Sequence, residues 1–64
     1  MKKYRIEFEF MYKGLEVSDG KNHKDIIDNN GEGFTLEEAN ALAARLYESE
    51  IQYTRWVKVV EMEG

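Results

Sequence analysis

Acidic side chains are the residues of this 64-residue chain whose types and spacing first suggest a site. The set without an intervening basic residue is Asp25, Asp28, Glu32, Glu37 and Glu38. Such a cluster creates a local negative field, which can steer a protein toward a basic partner. One hypothesis is that these carboxylates occupy a basic nucleic-acid-binding groove on another protein. The alternative is that they only solubilise the domain and cap its helix.

A second candidate site is aromatic. Tyr53, Arg55 and Trp56 are close in sequence, and these three residue types are enriched at the energetic centres of protein interfaces. We therefore expect a protein partner, or a homodimer through this patch or through the edge of the last strand. The alternative is that Trp56 fills the core against the helix.

The residues that catalysis would need do not converge. His23 is the single histidine, and the serines, Ser18 and Ser49, do not lie in the glycine-rich elbow that exposes a nucleophile. A solvated loop histidine explains His23 better than a catalytic one does. The sequence therefore predicts a protein that is not an enzyme.

The segment 28–33 resembles a calcium loop in its alternating oxygen ligands. If Asp28 is the first ligand, however, Ala39 stands where the bidentate glutamate belongs. A turn that leads into a helix explains the segment better. We expect no metal site and no cofactor.

Charge and composition limit the partner and the compartment. Nine basic and thirteen acidic residues give a net charge of −4, and residues 25–50 hold seven acidic residues but one basic residue. Phosphate binding needs clustered lysine and arginine, so direct nucleic-acid binding is disfavoured. No apolar run approaches the roughly 20 residues of a membrane span, and we expect no signal peptide. With no cysteine, the chain fits the cytoplasm.

The first half of the chain predicts strands. From Tyr4 to Tyr12, apolar and aromatic residues alternate with mostly charged ones, which is typical of a half-buried antiparallel strand. A turn at Lys13-Gly14 and a short strand at 15–17 would complete a hairpin. A third strand is predicted over His23 to Asp28, with a flexible loop as the alternative.

A helix is predicted from Thr35 to about Glu50. Thr35 and Glu38 have the spacing of a capping box, in which each side chain accepts a hydrogen bond from the other residue's backbone N–H. One apolar stripe follows at three- and four-residue steps: Leu36, Ala39, Leu42, Ala43 and Leu46.

The last predicted strand runs from Gln52 or Tyr53 to about Met62, and both of its faces carry apolar groups. Either the strand is flanked on both sides, or a bulge near Val59-Val60 shifts its register. The order β-β-(β)-α-β predicts one α+β domain over residues 1–64. Its three- to four-stranded, mainly antiparallel sheet has the helix packed on one face, with Phe8 near Leu42.

The segment 30–39, Asn-Gly-Glu-Gly-Phe-Thr-Leu-Glu-Glu-Ala, together with the closing Val-Lys-Val-Val-Glu of 57–61, resembles small proteins encoded by phages and prophages. The resemblance implies a cytoplasmic protein of a mobile element that acts by binding a host macromolecule. On this basis we expect an accessory or regulatory domain that works by surface occlusion. An inhibitor that mimics nucleic acid is the alternative.

Overall fold

A computed structural model of the chain describes residues 2–13 and 20–63. Its strands are β1 (Lys3–Tyr12), β2 (His23–Ile27) and β3 (Gln52–Met62), and its helix is α1 (Leu36–Leu46). The strands form one antiparallel sheet in the order β2-β1-β3, and α1 packs against it. This arrangement confirms the predicted α+β class. The predicted strand at 15–17 lies outside the described residues.

The core is built on alternate residues of β1, as its alternation predicts. Ile6, Phe8 and Phe10 are buried together with Ala39 of α1. Seven partly buried side chains surround them: Tyr4, Ile27, Phe34, Leu42, Leu46, Val57 and Val59. Phe8 and Leu42 therefore belong to one core, as predicted. Burying a large apolar side chain contributes roughly 1.5–3 kcal/mol, so these few residues dominate the stability of so small a domain.

The predicted third strand is confirmed as β2, so the loop alternative was wrong. Ile27 lies opposite Ile6, which places this β-branched residue against the core. The turn that follows holds Asn29 and Asn30 at positive φ, a conformation that asparagine tolerates better than most residues. His23 is not a loop residue, because it begins β2 and its ring stacks on Phe10.

The capping box at the start of α1 is confirmed. The Glu38 N–H donates to the Thr35 hydroxyl (3.2 Å), and the Thr35 N–H donates to the Glu38 carboxylate (3.0 Å). The helix ends at Leu46, earlier than the predicted Glu50. The Thr54 hydroxyl of β3 donates to the Leu46 carbonyl (2.6 Å), so the returning strand supplies a partner that another helical turn would otherwise provide.

Leu36 departs from the predicted apolar stripe. This residue is 49 % exposed, whereas Ala39 is fully buried and Leu42 and Leu46 pack against the core. The first turn of α1 therefore extends beyond the apolar contact between the helix and the sheet. Within the described part of the chain, no helix has the length and apolar character needed to cross a membrane.

We expect Thr35→Ala to lower the free energy of unfolding by about 0.5–2 kcal/mol, because the helix loses its N-cap hydroxyl. The Thr35 backbone N–H and then its hydroxyl lower the pKa of Glu38. The variant keeps the N–H and lacks the hydroxyl, so this pKa should rise part of the way toward its ordinary value. A carboxylate whose pKa is lowered in the folded state contributes stability that is fully present above its unfolded-state pKa. This contribution is lost as the pH falls through the folded-state pKa. Carboxyl NMR titration of the wild type and the variant measures the pKa of Glu38. An unchanged pKa would contradict the predicted rise.

The predicted bulge exists, but it lies at a different position. Trp56 pairs with Glu9 whereas Thr54 pairs with Phe10, so Arg55 is the extra residue. The register from Trp56 to Met62 is regular, which makes the predicted bulge at Val59-Val60 wrong. Among the described strands β3 lies at the edge of the sheet and pairs only with β1, which contradicts the alternative of a strand flanked on both sides.

Candidate functional site

The sheet has one face under α1 and one face on the other side, which we call the open face. Directly opposite residues of antiparallel strands share a face. Glu7 and Glu9 of β1 alternate with the buried residues, so they point away from the helix. Their partners on the open face are Lys24, Ile26, Trp56 and Lys58. No described helix or strand packs there.

Trp56 lies on the open face, so the alternative that it fills the core against the helix was wrong. Its ring is half-buried, and the Lys58 ammonium lies 5.2 Å from the ring centroid. Trp56 and Ile26 line a depression of about 320 Å³, with Glu7 and Lys24 beside them. Because Ile26 is 54 % exposed, this depression combines accessible apolar surface with charge.

The bulge brings Tyr53 and Arg55 to the same face as Trp56. Tyr53 lies opposite Met11 and is 64 % exposed, and the Lys13 ammonium is 4.5 Å from its ring centroid. Arg55 reaches Glu9 with its Nε (3.6 Å) and donates from Nη1 to the Asn22 side chain (3.2 Å). The structure thus brings together the three predicted aromatic-site residues.

Basic residues gather on the open face, which sequence reasoning missed. Among the described residues, six basic and two acidic side chains belong to it, a net charge of +4. The basic residues are Lys3, Arg5, Lys13, Lys24, Arg55 and Lys58. They come from the three strands and from Lys13, just after β1, and they are dispersed in a sequence whose net charge is negative. Strand alternation was the available signal, but using it required the strand order and register.

The predicted acidic residues form a separate group. Asp28, Glu32, Glu37 and Glu38 lie at the end of the sheet where β1 begins, because β2 and the turn after it lead there before α1 starts. Asp25 lies earlier, in β2 opposite Phe8, and also lines the depression beside Trp56. Apart from Asp25, the acidic residues and the aromatic patch therefore occupy different surfaces.

Local structure accounts for several of these carboxylates. Asp25 accepts a hydrogen bond from the Ile26 N–H (2.8 Å), and Asp28 accepts one from the Gly31 N–H (3.1 Å). Glu38 completes the capping box. These roles favour the interpretation of the acidic residues as turn and cap residues over that of a binding surface.

The outer edge of β3 is where the sequence suggested that a second copy could pair. Tyr4 exchanges two backbone hydrogen bonds with Phe34, so the N–H and C=O of Tyr4 point toward the β2 side. Because hydrogen-bonding direction alternates along a strand, the backbone N–H and C=O groups of Val57, Val59 and Glu61 point away from β1, toward the outer edge. Lys58 and the bulge at Arg55 are features that discourage edge pairing. Homodimerisation stays a prediction.

Comparisons with known proteins add no assignment. The described residues hold no group of three or more histidine, aspartate or glutamate side chains suited to a metal ion. No protein-family model matches the chain, and no curated protein or solved structure shows significant similarity to it. The resemblance to phage and prophage proteins therefore stays a prediction.

Proposed function

We propose that this chain is a small non-enzymatic binding domain that acts by covering a surface of a partner protein, with the open face as its working surface. The observation that carries the proposal is the convergence of Tyr53, Arg55 and Trp56 on the open face. Tryptophan, tyrosine and arginine supply most of the binding energy in many interfaces.

The sheet also gives these side chains a rigid base. β1 lies between β2 and β3, and its other face forms the buried core. Arg55 contacts Glu9 and Asn22, and Lys13 lies over the ring of Tyr53. Side chains that are already ordered lose less conformational freedom on binding, so an interface made by them keeps more of its contact energy.

The non-enzymatic part of the proposal is supported by the position of His23. Its ring stacks on Phe10, with centroids 5.5 Å apart, and also packs near Tyr12. A histidine used to extend an aromatic cluster is explained without catalysis. The proposed setting, the cytoplasm and a host or phage protein as partner, rests on the sequence resemblance.

Selection from a displayed library of random peptides tests the proposal. We expect clones enriched on the wild-type domain to lose at least about tenfold in affinity for Trp56→Ala and to weaken for Tyr53→Ala, because interface anchors of these types are often worth 2 kcal/mol or more. Tyr47→Ala is the matched control, since Tyr47 is a 58 % exposed tyrosine at the end of α1. Clones should retain their affinity for it.

Two outcomes of the selection would contradict the proposal. One is that no enriched clone depends on Trp56 or Tyr53. The other is that clones lose binding to a domain in which Glu37 and Glu38 are replaced by glutamine, while Trp56→Ala has no effect. That second pattern would favour the acidic surface and the nucleic-acid-mimicking inhibitor.

A further inference from the structure

We infer that the partner segment that docks on the open face is acidic and carries a bulky apolar side chain among its carboxylates. This inference rests on the proposed function and names the chemistry of the protein partner for the same face. Three observations support it: the charge of the face, the depression beside Trp56, and the positions of two lysine ammonium groups.

The charge of the open face is opposite to that of the whole chain. The chain carries −4, whereas the described residues of the open face sum to +4. Its two carboxylates are already paired, Glu7 with Arg5 (2.9 Å) and Glu9 with Arg55 (3.6 Å). An acidic segment is therefore attracted to this face and repelled by the acidic end of the sheet, which orients it.

The depression beside Trp56 supplies an apolar anchor point. Its volume is about 320 Å³, and Ile26 and Trp56 provide apolar walls on strands that flank β1. Lys24 and Lys58 lie on these same outer strands. A leucine-sized side chain placed in the depression would therefore have a lysine on either side, within reach of neighbouring carboxylates of the same segment.

The aromatic rings favour a protein segment over single-stranded nucleic acid. Bases bind such surfaces by stacking on open ring faces. Here the Lys13 ammonium lies 4.5 Å from the Tyr53 centroid and the Lys58 ammonium 5.2 Å from the Trp56 centroid. These cation–π contacts already use one face of each ring. A carboxylate can bind the ammonium groups without displacing them.

Fluorescence of Trp56, the single tryptophan, tests the inference directly. The probe is a peptide of Glu-Glu-Leu repeats, compared with Glu-Glu-Ser repeats, Lys-Lys-Leu repeats and single-stranded oligo(dT). We expect a saturable change with Glu-Glu-Leu, at least about tenfold weaker binding of the other three probes, and weaker binding at high salt.

The variant Lys24→Gln/Lys58→Gln should bind the Glu-Glu-Leu peptide about 3- to 10-fold more weakly, since two ion pairs at the surface are lost. The matched control is Lys2→Gln/Arg45→Gln, which removes the same charge away from the open face and should bind like the wild type. Equal losses in both variants would overturn the inference, because they would show a general charge effect. Tighter binding of oligo(dT) than of the acidic peptide would overturn it in favour of nucleic acid.

The library selection separates this inference from the proposed function. Clones that depend on Trp56 but lack acidic residues would overturn the acidic segment and leave the protein-binding function in place. The absence of any Trp56-dependent clone would overturn the function itself.

Discussion

Ile6→Ala is expected to remove most or all of the stability of the domain. Ile6 is fully buried in the centre of the sheet, between Ile27 of β2 and Val59 of β3. Truncating a buried isoleucine to alanine costs about 2–5 kcal/mol, because apolar contacts are lost and a cavity is left. A single core in a domain this small rarely supplies more than about 3–5 kcal/mol in total. Urea denaturation should show a greatly lowered midpoint or no folded baseline.

Ile51→Ala is the matched control for this loss. The residue type and the change are the same, but Ile51 is 68 % exposed. Exposed substitutions usually alter the free energy of unfolding by no more than about 0.5 kcal/mol. If the two variants unfold at similar urea concentrations, the core does not lie where the structure places it.

Gly33→Ala is the second substitution with a large expected effect. Gly33 has a φ of +75°, which alanine adopts only with strain. An added Cβ would also lie 2.8 Å from both the Lys3 Cβ and the Met62 sulfur, and 3.3 Å from the Tyr4 carbonyl oxygen. Backbone strain and overpacking together predict a loss of about 2–4 kcal/mol in the free energy of unfolding, measured by thermal or urea denaturation.

Gly31→Ala separates the two causes. Gly31 has a φ of +88°, but its added Cβ would meet nothing within 4 Å. Only the backbone strain of about 1–2 kcal/mol is then expected. An equal loss in both variants would show that an added Cβ at position 33 has no steric cost, which would contradict the close approach of Lys3 and Met62 to this turn.

The location of Gly33 explains why its role needed the tertiary structure. The sequence predicts a turn within 28–33, and the structure confirms it, with Asn29, Asn30 and Gly31 at positive φ. Gly33 is special because Phe34 pairs with Tyr4, which draws the turn against the ends of β1 and β3. Contacts between residues so far apart in sequence are not encoded in any local pattern.

Local patterns were sufficient for most elements. The alternation over Tyr4 to Tyr12 and the Thr35/Glu38 pair predicted β1 and the start of α1, because side-chain period and capping depend on neighbours within a few residues. The end of α1 was placed too late because its last carbonyl is bound by Thr54, a residue of the next strand.

For the candidate site too, residue type and residue position were determined at different levels. The sequence by itself determined which residues could anchor a partner, Tyr53, Arg55 and Trp56, because their chemistry is a property of residue type. Only the tertiary structure decided that they share a surface. The bulge at Arg55 shifts the period of β3, and the order β2-β1-β3 places Lys24 and Lys58 on either side of the central strand. Charge that is dispersed along the chain becomes concentrated in space, because pairing between strands sets which side chains are neighbours.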